Sequence, residues 1–320
     1  MGGFSHAVLM IQRLPAFLLL HCCVLLLCQC GDKQPGPVLV GQSEANRLEA
    51  AALFSKAEAE EAKGEVKDAI DLYEDVADDY PVSPMAGEAR YRQAKLLDQR
   101  GKRRDAFEAY GLFLKHHPQH PKHSDVLKRV FEIAIGAKRG DIQTNFLGIK
   151  GELPLKETLL MLESVKQYAP QSDMAAKAQY AIGELYLREK KYNLSVTNFR
   201  KVAEDHRSHP LAPEALFRVG KILLEEAQRG NQNLATVDLS REAFNDYLIQ
   251  FPGHKHNAEA RRMIATLKSR DVQRTIEIAD YYYKTGNKES AKIYYREVVK
   301  MAKSGKDHDR AQARLKEIGN

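Results

Sequence analysis

From Gly87 to Pro121 the chain reads GEARYRQAKLLDQRGKRRDAFEAYGLFLKHHPQHP, a largely charged stretch in which small, aromatic and helix-breaking residues occupy fixed places. Ala94 is followed by Gly101, Ala106, Tyr110 and Pro118, at steps of 7, 12, 16 and 24 residues. The spacing predicts two antiparallel helices. Ala94 and Ala106 allow their axes to approach closely, and Tyr110 fills the space between them. Gly101 ends the first helix in a left-handed cap, and Pro118, which has no backbone N–H, stops the second.

The register recurs along the chain, and a fixed period decides the fold before any other signal. Ala57, Gly64, Ala69, Tyr73 and Pro81 stand 37 residues earlier in the same order. Gly183, Ser195 and Phe199 keep the internal steps of 12 and 4, with Lys190 and Arg207 in place of the glycine and the proline. Gly220 follows Gly183 by 37 residues, but Ser240, Phe244 and Pro252 arrive 8 residues late, so the inserted RGNQNLATVDLS is expected to form a loop. Ala279, Gly286, Ala291 and Tyr295 complete the set. The pattern resembles the tetratricopeptide repeat, a helix-turn-helix unit, over most of residues 44 to 303. The expected fold is all-α: a solenoid of about six antiparallel helix pairs with a C-terminal capping helix, because an open-ended solenoid needs a polar end.

Two stretches depart from the period. In the third repeat Phe131 replaces the small residue, and Thr158 and Leu162 arrive 15 residues late, after an insertion at 138–154 expected to be a projecting loop or short hairpin. After Pro252, NAEARRMIATLKSRDVQRTIEIADYYYK is helical throughout and predicts an extra helix or one long one. In DRAQARLKEI, Ala311, Leu315 and Ile318 share one face, as the capping helix requires.

The N-terminus is of another kind. Arg13 is the only charge before an apolar run from Leu14 to Cys28, too short for a comfortable membrane span of about 20 residues. Residues 1–29 read as a signal peptide. LLLCQC followed by GDKQ resembles a bacterial lipoprotein signal, which implies cleavage before Cys30 and its lipidation, though Gln29 is larger than the residue usual there. Residues 30–43, rich in turn formers, read as a tether to a body spanning 44–320. All four cysteines (Cys22, Cys23, Cys28, Cys30) precede that body, which excludes disulfides and thiolate metal sites from it.

With 49 basic and 43 acidic side chains in mixed-sign runs such as KAEAEEAKGEVKD, the chain has the charge of solvated helix faces rather than of a nucleic-acid footprint. It carries no HExxH, GxxxxGK[ST], GxSxG or glycine-rich dinucleotide fingerprint, so neither an enzyme nor a cofactor is expected. His116, His117, His120 and His123 cluster in a turn, as do His206 with His209 and His254 with His256; solvated turns explain them without a metal.

FLKHHPQHPKHSD at 113–125 and ARRMIATLKSRDVQRTIEIADYYYKTGNKESAKIYYREVV at 260–299 resemble the BamD family, the outer-membrane lipoproteins of the β-barrel assembly machinery. The resemblance implies a lipid-anchored scaffold on the periplasmic face of the outer membrane. Its partners would be the periplasmic domains of the barrel-forming subunit and C-terminal segments of nascent barrel proteins. A generic envelope adaptor for division or pilus assembly is the alternative. The repeat family's geometry further implies a peptide groove. Phe54, Tyr91, Tyr180 and Phe217 would form an aromatic ladder, with Lys128 and Ile276 at the irregular units. Glu58, Lys95, Glu132, Glu184, Lys221 and Asp280 would lie beside it with mixed charge.

Overall fold

In the computed structural model, residues 40–146, 149–229 and 234–319 are described. The expected signal peptide, Cys30 and most of the expected tether lie outside them. The chain divides into two units, Met1–Glu49 and Ala50–Asn320. In the first, the described residues are helical, and Arg47 pairs with Glu44 at 2.6 Å one turn away.

The helices are α1 (Val40–Lys63), α2 (Val66–Asp79), α3 (Ala86–Gln99), α4 (Arg103–His116), α5 (His123–Arg139), α6 (Leu155–Tyr168), α7 (Asp173–Arg188), α8 (Tyr192–Asp205), α9 (Leu211–Arg229), α10 (Leu234–Gln250), α11 (Asn257–Lys284), α12 (Lys288–Met301) and α13 (Lys306–Ile318). They make six antiparallel pairs and a terminal cap, the architecture that the period predicts. The first, second and sixth pairs close on their small residues: Ala57, Ala69, Ala94, Ala106, Ala279 and Ala291 have no exposed surface. The aromatic four residues after the second small residue is also sealed, with Tyr73, Phe199, Phe244 and Tyr295 fully buried and Tyr110 nearly so. Burying each such ring contributes roughly 2–3 kcal/mol.

The turn within each pair is left-handed where the sequence offers glycine: φ is +82° at Gly64, +74° at Gly101 and +79° at Gly286. Gly101 N–H donates to the Asp98 carbonyl and Lys102 N–H to that of Leu97, which satisfies the ends of α3. In the fourth repeat Lys190 takes the same place with φ +57°, and the same two bonds run from Lys190 to Leu187 and from Lys191 to Tyr186.

The insertion at 138–154 holds a two-stranded antiparallel hairpin, β1 (Gln143–Phe146) and β2 (Ile149–Glu152), in register from Gln143↔Glu152 to Phe146↔Ile149. Gly140, at φ +82°, turns the chain out of α5, and Ile142 and Leu153, buried at the base of the hairpin, tie it to the core.

The other insertion corrects the expectation of a loop. Leu234–Ser240 is helical and lengthens α10, leaving only residues 230–233 outside the described chain. Helical spacing explains it: Val237 is half-buried and Ser240 sealed on the inner face, while Asp238 and Leu239 face solvent. After Pro252 the chain forms one long helix, α11. Its first half (Ala260, Ile264) packs into the core of the fifth repeat, and its second half (Ile276, Ala279) joins a separate cluster with α12 and α13.

Candidate functional site

The rings expected to line a groove are mostly sealed. Phe54 and Tyr180 are 8% exposed and Phe217 2%, and only Tyr91 keeps partial exposure. Phe54 meets Tyr73 edge-on at 5.4 Å, and Tyr180 meets Phe199 at 5.0 Å. Phe217 contacts Phe244 and Tyr247 and stacks flat on His256 at 4.5 Å. These rings bind their own helix pairs together, so the open aromatic ladder reduces to Tyr91, tilted at 6.1 Å against Phe113.

Arginines cover the rings. Arg92, in the second repeat, sits over Phe54 and Tyr73 of the first at 5.9 and 6.0 Å. Arg218, in the fifth, sits over Tyr180 and Phe199 of the fourth at 5.3 and 5.7 Å. Each also holds acids of the preceding repeat: Arg92 reaches Glu58 at 3.3 Å and Glu61 at 3.1 Å, and Arg218 reaches Glu184 at 3.2 Å. Arg129 grips Asp98 with two nitrogens, at 2.6 and 2.9 Å, and Arg310 pairs with Asp280. A planar guanidinium suits this double task, stacking on a ring while it forks onto a carboxylate. The tyrosine hydroxyls join in, Tyr73 donating to Glu61 at 2.7 Å and Tyr295 to Asp280 at 2.6 Å. Burial, with lesser help from the nearby acids Glu184 and Glu214, pushes Tyr180 up to about 12.

This changes the electrostatics expected beside the rings. Glu58, Glu132, Glu184 and Asp280 are each engaged by a basic side chain. Lys221 lies 3.8 Å from Glu259 and over the Phe217 ring, while Lys95 is exposed and makes no ion pair among the described residues. The uncommitted charge at these positions is therefore basic, and Tyr91 and Lys95, one helical turn apart on α3, are where an aromatic surface and a free cation coincide. The arginines had a sequence signal: Arg92 and Arg129 are 37 residues apart, as are Glu61 and Asp98.

Among the described residues no helix is long and apolar enough to cross a membrane. A model of the family YfiO, described as outer membrane lipoprotein, matches residues 155–317, just over half of the chain. Tetratricopeptide-repeat models match residues 43–84 and 88–120. A search of curated proteins returned no match. Among solved structures, a tetratricopeptide repeat protein from Parabacteroides merdae is 16% identical, with 85% of this chain and 99% of that one covered and a TM-score of 0.30. The pilF protein of Pseudomonas aeruginosa is 14% identical over 85% and 98%, with a TM-score of 0.29. YrrB, described as a repeat protein with an unusual peptide-binding site, is 13% identical over 68% and 95%, with a TM-score of 0.30.

Proposed function

Because the chain belongs to the YfiO family of outer membrane lipoproteins, we propose that it is a non-enzymatic scaffold, acylated at Cys30, that works at the periplasmic face of the outer membrane in the assembly of β-barrel proteins. The observation that carries this reading is the family match itself, which runs from α6 almost to the end of α13 and includes the long α11. Its partners are the periplasmic domains of the barrel-forming subunit. A C-terminal segment of an unassembled barrel protein docks at Tyr91 and Lys95, where a ring and a free cation suit an aromatic side chain and a terminal carboxylate.

The test is crosslinking in intact envelopes followed by recovery of a tagged chain. The barrel-forming subunit is expected among the products; recovery of division or pilus components in its place would reject the assignment. Palmitate labelling of wild type but not of Cys30→Ala is expected, since stable anchoring takes more than one acyl chain.

A further inference from the structure

The turns that join one repeat to the next share a construction. In the first four repeats, four residues after the last residue of the second helix, a side chain accepts a backbone N–H at or just before the start of the following helix; at the fifth junction His254 holds the same place, but its Nδ1 lies 2.7 Å from the Tyr247 hydroxyl instead. At the junction of the first and second repeats this is Ser83, whose Oγ accepts from Met85 N–H at 3.2 Å; between the third and fourth it is Ser172, accepting from Ala175 at 3.0 Å. Between the second and third repeats the place belongs to His120, whose Nδ1 accepts from Lys122 N–H at 3.2 Å. Between the fourth and fifth it belongs to His209, whose Nδ1 accepts from Leu211 N–H at 3.1 Å. The backbone is alike at all four: residue 83, 120, 172 or 209 donates its own N–H to the carbonyl three residues before it.

A serine oxygen accepts at any ordinary pH, but an imidazole nitrogen accepts only while it lacks a proton. From this contrast we infer that the solenoid has two acid-sensitive junctions, second to third and fourth to fifth repeat, which lose their capping bond when His120 and His209 take up a proton, while the two serine junctions hold.

The surroundings of both rings agree. With Nδ1 accepting, the neutral ring carries its proton on Nε2, which faces an acid: Asp173 at 2.9 Å from His209 and Glu88 at 3.7 Å from His120. Those contacts survive protonation, so the cap is what acid removes. The acids are themselves shared with cations, Asp173 with Lys177 at 2.8 Å and Glu88 with Arg92 at 3.2 Å. Each turn also holds a second histidine at the end of the preceding helix. Burial, then the neighbouring His116, His120 and Arg90, hold His117 below its ordinary value. Burial, with His209 and Lys166 and against Asp205, does the same for His206. A histidine so held contributes stability that is fully present above the unfolded value of about 6.5 and is lost progressively as pH falls from there through its lower folded value. Both kinds of histidine thus loosen the same turns in the same direction.

Amide hydrogen exchange of the full chain in detergent, followed residue by residue at pH 7.5 and 5.5, tests this. Protection factors at Lys122 and Leu211 are expected to fall about tenfold on acidification, the scale of one lost cap, while those at Met85 and Ala175 stay level. In His120→Ser and His209→Ser, which copy the other two junctions, the fall at the altered turn should shrink to the smaller part that His117 or His206 contributes. Equal behaviour of all four amides, or a fall as large in the serine variants as in wild type, would overturn the inference. Imidazole nitrogen shifts at pH 7.5 give a check on wild type alone: a neutral ring protonated on Nδ1 at 120 and 209 would also overturn it.

Discussion

Ser240 donates its hydroxyl to the carbonyl oxygen of Gly220 at 2.8 Å, across the two helices of the fifth repeat, and Ser195 does the same to Gly183 in the fourth. Where the first two repeats oppose alanine to alanine, these two oppose glycine to serine, and the missing methyl is replaced by an aromatic edge. A Cβ built on Gly220 would lie 2.6 Å from Phe244, and one on Gly183 3.0 Å from Phe199. Gly220→Ala should therefore destabilise by about 1–3 kcal/mol through overpacking, more than Gly183→Ala does. Urea denaturation of the two variants checks the order; equal midpoints would mean that Phe244 moves aside freely.

Lys190 is the one non-glycine residue with positive φ among the described residues. A left-handed conformation costs a side-chain-bearing residue roughly 1–2 kcal/mol, and glycine's greater freedom in the unfolded chain returns about 0.5–1 of that. Lys190→Gly should raise stability by roughly 0.5–1 kcal/mol, read as an upward shift in a thermal melt. Lys102→Ala, an exposed change, should leave the melt where it is.

Asn257 is 6% exposed, and neither of its side-chain polar atoms has a hydrogen-bond partner among the described residues. Its counterparts in the second, fourth and fifth repeats are Ala86, Ala175 and Ala212, all buried. An unsatisfied buried amide costs about 1–3 kcal/mol, so Asn257→Ala should stabilise by about 1 kcal/mol despite its smaller volume. A destabilised variant in the same urea titration would indicate that the amide holds a buried water.

The repeat register was legible because its determinants are local and steric. Small residues, left-handed glycines and terminal prolines act within one helix pair, so their spacing carries over directly into α1 to α4 and α11 to α13. What escaped depends on neighbours far along the chain. RGNQNLATVDLS has the glycine and asparagines of a loop, yet once α9 and α11 flank it, Val237 and Ser240 find an inner face and the helix extends. The spacing of the aromatic positions is legible along the helices, but their exposure is not, since what covers Phe54 and Tyr180 is an arginine from the next repeat. Linking Arg92 to Glu61 requires knowing how repeats stack, a fact that no single pair contains.

The arginine contacts between repeats predict coupling rather than simple surface pairing. Asp98 has 12% of its side chain exposed, and Arg129 forks onto it with two nitrogens, a geometry that holds its strength better than an exposed monodentate pair. Arg129→Ala leaves that carboxylate shielded and without its guanidinium, so it should cost about 2 kcal/mol, whereas Asp98→Asn with Arg129→Ala should cost less than the sum of the two single changes. A double-mutant cycle by urea denaturation measures the difference, with a coupling of about 1–2 kcal/mol expected. Arg104 and Glu108, both largely exposed and 4.0 Å apart, serve as the comparison and should couple by less than about 0.5 kcal/mol. Equal coupling in the two pairs would mean that Arg129 is a surface ornament, and the stacking of the second repeat on the third would then rest on apolar contacts such as those of Leu97, Val126 and Val130.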